Sequence, residues 1–208
     1  MKKVFFCLLI FLVYQNIKAQ SANEYWLSVA AETKGIKDYA LRIEPQIRFE
    51  EGTSSYKSLF ADIELKHSYN KILSGDVGYR LYANEKKRRF YADVELEFKT
   101  KLIDKFKNRF RFQNDHEIDK SDEQTFRYRF MIEKKVFKKK LELSAGVETF
   151  FPLFVQKSMD TYRWLGGVGV NLPHKQSLDL RYIVENNKSK KQGWQHHNIF
   201  SLGYKYKW

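Results

Sequence analysis

The chain has 208 residues, 30% of them charged and 16% aromatic, with a negative mean hydropathy and a formal net charge of +13. That charge density argues against a soluble globule with a large apolar core, and the aromatic content argues against disorder, which shares the charge but lacks the rings. A β-barrel with lipid outside and an ionic lumen satisfies both, because half of each strand is apolar and the other half is free to carry charge.

The N-terminus reads as a secretory signal peptide, residues 1–19. Lys2 and Lys3 precede an apolar run from Val4 to Tyr14, polar Gln15 and Asn16 follow, and small Ala19 marks the cut, with Gln20 the alternative point. The run is far shorter than the roughly twenty residues a membrane-spanning helix needs. Cys7 sits inside it, so residues 20–208 contain no cysteine and can form neither a disulfide nor a thiolate metal site. Loss of Lys2, Lys3 and Lys18 lowers the net charge to +10. The remainder, without linker or low-complexity tract, is expected to form one domain in the outer membrane.

Period-two alternation then recurs along the chain. A first strand, about Tyr25 to Lys34, carries Leu27, Val29 and Ala31 on its apolar side. In the next, Tyr39, Leu41, Ile43, Ile47 and Phe49 alternate with Arg42, Glu44, Gln46, Arg48 and Glu50; Pro45, lacking an N–H, predicts a bulge or a weak pairing. Leu59 to Leu65 opposes Phe60, Asp62, Glu64 and Lys66, and Val77, Tyr79 and Leu81 oppose Gly78, Arg80 and Tyr82. Phe90, Ala92, Val94, Leu96 and Phe98 alternate with Tyr91, Asp93, Glu95 and Glu97, and a helix would put several of those carboxylates on its apolar stripe. Runs bearing Arg109 and Arg111, Arg127 and Arg129, Glu142 and Glu148, and Asp179 and Arg181 on the polar side follow, with Gly167 and Gly169 relieving crowding inside the run from Tyr162 to Leu172. Turn-forming clusters fall at 34–38, 51–55, 70–75, 84–88, 119–123, 137–140, 173–176 and 186–193.

The chain closes on Phe200, Leu202, Tyr204, Tyr206 and Trp208 against Ser201, Gly203, Lys205 and Lys207, the pattern of a terminal outer-membrane strand recognised by the barrel-assembly machinery. The expected fold is all-β, a closed antiparallel up-and-down transmembrane barrel of 10–12 strands. Eleven runs are visible, but single-chain bacterial barrels carry an even number. The expectation is therefore ten strands, if the Tyr25 run is not a full one, or twelve, if a further strand lies near 99–108 or 150–160.

Trp26, the stretch Glu44-Pro45-Gln46-Ile47-Arg48-Phe49, the segment Gly78-Tyr79-Arg80 and the stretch Arg89-Phe90-Tyr91-Ala92-Asp93 together resemble an uncharacterised outer-membrane-barrel-like family, domain of unknown function 2490. The resemblance implies location and fold over most of the mature length. It brings no activity and no catalytic residues.

The polar faces collect Arg42, Glu44, Arg48, Glu64, Arg80, Asp93, Glu95, Glu97, Arg109, Arg111, Arg127, Arg129, Glu142, Glu148, Asp179 and Arg181, both signs in similar number. In a narrow barrel these pair across strands. The main reading is a non-catalytic barrel, structural with its lumen plugged by ion pairs or open as a narrow solute pathway. The alternatives are a small lipid-modifying enzyme and a soluble periplasmic barrel around an apolar ligand. An enzyme needs a histidine beside a nucleophile. His67 and His174 fall at turns and His116 near a strand end; His197 and Ser201 share a face but lie about 13 Å apart along the strand. Acids Asp115, Asp119, Asp122 and Glu123 surround one loop and read as a solvated turn. No cofactor or metal is expected. The expected partners are outer-membrane lipid, lipopolysaccharide phosphates at the basic runs Lys86 to Arg89, Lys138 to Lys140 and Lys188 to Lys191, and the assembly machinery; nucleic acid is not.

Overall fold

A computed structural model of the chain describes residues 22–33, 38–50, 56–83, 87–117, 122–137, 139–153, 161–189 and 193–208. The expected signal peptide and its cleavage point lie outside the described residues, as do Asp119, Lys120, Lys86, Lys138, Lys190 and Lys191.

Each alternating run forms a strand: β1 (Ala22–Glu32), β2 (Tyr39–Glu50), β3 (Tyr56–Ser68), β4 (Leu73–Tyr82), β5 (Lys87–Phe98), β6 (Lys105–Glu117), β7 (Glu123–Val136), β8 (Leu141–Pro152), β9 (Thr161–Leu172), β10 (Gln176–Ser189) and β11 (Gly193–Lys207). All neighbours in sequence pair antiparallel, and β1 closes the barrel against β11. That closure is parallel, in register from Ala22 opposite His197 to Glu32 opposite Lys207. The expectation of an even count and of antiparallel pairing throughout is therefore corrected. Eleven strands wound up and down leave the first and last running the same way, so an odd barrel closes only through one parallel pair. The Tyr25 run is a full strand, while 99–104 is a connection and 150–152 is the end of β8 rather than part of a twelfth strand. The seam is fastened at one end by a 2.7 Å ion pair between Lys207 and Glu32, and the Trp208 N–H donates to the Glu32 carbonyl.

Local chemistry sets the turns between strands. The Asn70 side chain accepts from the N–H groups of Ile72 and Leu73, both at 2.8 Å, which closes the β3–β4 connection. His174 and Lys175 both take left-handed φ, 56° and 59°, the geometry of a type I′ turn that matches the strand twist between β9 and β10. Pro45 lies opposite Ala61 of β3 without a register change; the irregularity in that ladder falls at Arg48 and Phe49. On its other side the β1–β2 pairing passes from Ser28 with Gln46 to Ala31 with Ile43, so the missing N–H is accommodated against β1.

Orientation follows the alternation. Val29, Ile43, Leu65, Val77, Phe90, Val94, Trp164, Leu180, Phe200 and Leu202 point away from the barrel axis and stay exposed, Trp164 at 58%. Exposed aromatic rings occur on this outer surface toward both ends, Tyr25, Phe112 and Trp194 at the end where β1 begins and Tyr39, Tyr69, Tyr206 and Trp208 at the other, as well as between them at Phe90, Trp164 and Phe200. The opposite parity points inward and carries the charges. Room inside is tight at specific places. A Cβ built on Gly78 would overlap the ring of Tyr91, which is fully buried, and one on Gly167 would lie 2.8 Å from the Ser144 hydroxyl. Gly169 is less constrained, its nearest neighbour being the Glu142 Cβ at 3.5 Å. One stretch of inner wall is apolar, where Ile199, Ile183, Leu165 and Met131 cluster with Trp26.

Candidate functional site

The interior is an ion-pair lattice built by register. Arg80 on β4 sits directly opposite Asp62 on β3 and donates through two nitrogens, both at 2.7 Å. Arg111 on β6 does the same to Asp93 on β5, both bonds at 2.6 Å, and Arg89 binds Asp115 in the same forked manner at 2.5 and 2.7 Å. These two-donor contacts between planar groups are the strong form of the interaction. Arg109 bridges Glu95 at 3.2 Å and Asp93 at 3.6 Å, and Lys66 reaches Glu95 at 3.5 Å. Arg42 pairs with Glu44 and more distantly with Glu64, whose carboxylate also accepts from the Tyr91 hydroxyl at 2.7 Å. Asp179 and Arg181 pair along one strand at 2.6 Å. Glu97 lies nearer an end, 3.6 Å from both Lys99 and Lys105.

One carboxylate serves three cations. Glu148, almost wholly buried, lies 2.8 Å from Arg127, 2.9 Å from Arg129 and 3.4 Å from Arg163. Arg163 has a second partner in Glu185. Arg48 differs from all of these. Its guanidinium carbon stands 3.9 Å from the centre of the Trp26 ring and 4.7 Å from that of Phe60, and among the described residues no carboxylate pairs with it. Phe60 also receives Arg80 at 3.8 Å, Trp26 receives Arg163 at 5.5 Å, and Phe150 receives Arg163 at 4.6 Å and Arg127 at 4.5 Å. The result is a continuous inner arc of alternating guanidinium and ring from Arg80 to Arg127, held by cation–π contact.

A cavity of about 530 Å³ runs inside the barrel, lined from all eleven strands. It extends from Arg89, Gln113 and Thr125 at one end to Lys205, Ser177 and Glu133 at the other. Its described lining holds twelve Arg or Lys side chains against seven Asp or Glu. Asp93, Asp115 and Glu185 stand behind the lining and hold Arg111, Arg89 and Arg163, so the surplus of positive charge concentrates at Arg48 and around Glu148.

Of the sixteen charges expected in the lumen, thirteen line the cavity, and Asp93 is buried just behind it. Glu97 joins lysines at the hairpin end, and Glu142 lies on the inward face against Gly169. The sequence reading missed Trp26, Arg163, Phe150, Lys107 and Lys205 as lumen residues, and put Arg89 in a basic loop although β5 begins at Lys87 and turns Arg89 inward. Parity already held the signal: Arg163 shares the face of Gly167 and Gly169, and Trp26 the face opposite Leu27. Similarly, Lys188 belongs to β10, which runs to Ser189. Of the terminal signature, Phe200, Leu202, Tyr206 and Trp208 are exposed, and half-buried Tyr204 is among the residues that line the cavity.

The catalytic candidates are scattered. His67 lies within β3, its ring 4.3 Å from that of Tyr39 and 4.5 Å from that of Tyr69. His196 contacts Asn186, and His174 occupies the left-handed turn. Asp115 points inward to Arg89 rather than joining the rim acids. Asp122 is exposed, 2.7 Å from His116 Nδ1 and 3.2 Å from the Asn114 amide, and these hydrogen bonds hold its carboxyl below the usual carboxylate range. Among the described residues no three His, Cys, Asp or Glu side chains are grouped to hold a metal ion.

No curated protein and no solved structure matches the chain. The profile of one family, described as protein of unknown function (DUF2490), matches residues 23–197, which is most of the chain. Together with the closed barrel already described, that match establishes that this chain belongs to the DUF2490 family.

Proposed function

We propose that the protein is an integral outer-membrane barrel and that its charged lumen is a narrow pathway for small hydrophilic solutes. The observation that carries the reading is the division of the strands' two faces. Exposed Val29, Phe90, Leu180 and Trp164 belong to an apolar outer surface that encircles the sheet, while paired arginines and carboxylates fill the inside. Soluble monomers rarely expose apolar patches beyond a few hundred Å², and lipid is the solvent such a belt fits. The rings near both ends suit the two membrane interfaces. The cavity supports a pathway over a solid plug, since its volume accommodates on the order of ten to twenty waters. The side chains that line it leave no wide channel, so the solutes are small. The terminal strand would hand the chain to the assembly machinery.

The test has two readouts. Purified protein should require detergent and migrate differently on a gel before and after boiling; a protein monodisperse in plain buffer contradicts the membrane reading. In a planar bilayer it should give small ohmic steps. A stable, heat-modifiable barrel without such steps would leave the membrane assignment standing and reject the pathway.

A further inference from the structure

The arginine–aromatic arc carries a charge that no carboxylate among the described residues neutralises. Arg48 is packed between Trp26 and Phe60, and the cations Arg80, Arg163 and Arg89 stand close enough to act on it unfavourably. Its Nε is buried without a hydrogen-bond partner, and so is Nε of Arg127. A guanidinium held against two rings at the wall of a cavity has, among the described residues, no acceptor for its N–H groups. Buried donors left unpaired are costly, and uncompensated buried charge more so. Sequence offers no reason to keep an arginine there unless something supplies the acceptor.

We propose that the lumen contains a binding site for a tetrahedral oxyanion of the phosphate class, seated on Arg48 where it lines the cavity beside the Trp26 ring. Arg48 and Arg163 both line the cavity, their guanidinium carbons 3.9 and 5.5 Å from the centre of that one ring, so a second cation stands near Arg48. The fork of an arginine matches a phosphate through two parallel hydrogen bonds. Glu185 engages Nε and Nη2 of Arg163 and Glu148 its Nη1, so Arg163 contributes positive potential while Arg48 supplies the donors of the site. The cavity leaves room for the anion alone or for the phosphate of a small organic molecule. The inference deepens the solute-pathway reading by naming the class of solute, and it rests on the charged lumen that reading uses.

The test is calorimetric titration of the detergent-solubilised, heat-modifiable protein at constant ionic strength in chloride, with inorganic phosphate in one arm and glycerol 3-phosphate in the other. At least one probe is expected to bind saturably at one site per chain. Tighter binding of the ester identifies an organic phosphate as the ligand, and equal or weaker binding of the ester identifies the free anion. Arg48→Met removes the unpaired charge while keeping the bulk, and should retain the folded gel form yet bind at least tenfold more weakly. Arg48→Lys, which keeps charge but loses the fork, should fall between, and it replaces the methionine variant if that one does not fold. Absence of saturable binding of either probe by the wild type, or undiminished binding by a folded Arg48 variant, overturns the site. Binding without bilayer conductance would reject the pathway and leave the site; conductance without binding would do the reverse.

Discussion

At the scale of single residues, what holds the interior together is the sharing of acids among a larger number of arginines. Glu148 is the extreme case, one buried carboxylate touching Arg127, Arg129 and Arg163. Removing its charge strands the guanidiniums in a low-dielectric interior, and removing one member of a buried charge group costs about 3–5 kcal/mol. Glu148→Gln should therefore lower unfolding stability in detergent by that order, measured by urea titration of the heat-modifiable form. The same change at exposed Asp122 should leave stability within about 0.5 kcal/mol, because surface pairs contribute little. Parity made most of these lumen charges legible from sequence, since a residue's face follows from counting by two. Which acid meets which base was not, because that depends on register: Arg80 finds Asp62 only once β3 and β4 are aligned, and only the assembled barrel shows Arg48 without an acid among the described residues.

At the scale of the element, the strands themselves were readable and their closure was not. The alternating run of β5 and the aromatic run of β11 are strands, although each begins before the pattern that marked it, β5 at Lys87 and β11 at Gly193. The Asn70 turn and the β9–β10 turn likewise fall at their sequence signals. Missed were the ends that continue past turn-like composition, such as β10 through Asn186 and Asn187 to Ser189, because pairing with β11 outweighs local turn propensity. The parallel seam left no local trace, being a consequence of the count and not of any residue in β1 or β11. It makes a sharp prediction. Ser28 and Gly203 lie opposite each other across β1 and β11, and a Cβ on Gly203 would stand 3.2 Å from the Ser28 hydroxyl. The double variant Ser28→Cys, Gly203→Cys should form a disulfide under oxidation, since a Cβ at position 203 lies within reach of the side chain directly opposite at position 28. Residues 20–208 contain no other cysteine. The linked peptides are identified by mass spectrometry, and a failure to cross-link in folded protein would rule out this closure.

At the scale of the whole molecule, a single inversion relative to soluble proteins explains composition, fold and proposed function together. The apolar half of each strand faces out and the ionic half faces in, and on the proposed reading the bilayer would complete the burial of a net-positive chain with few large interior apolar groups. Four tryptophans make this directly testable, since Trp164 is 58% exposed on the outer face and Trp26 is buried in the lumen at 9%. Two variants, each keeping one of these residues with the other three tryptophans changed to phenylalanine, are reconstituted into vesicles of lipids brominated on their acyl chains. Bromine quenches indole fluorescence only at contact distance, so the measurement reports which ring touches acyl chains. The account predicts strong quenching of Trp164 and little of Trp26; equal quenching of both, or quenching of Trp26 alone, would contradict it.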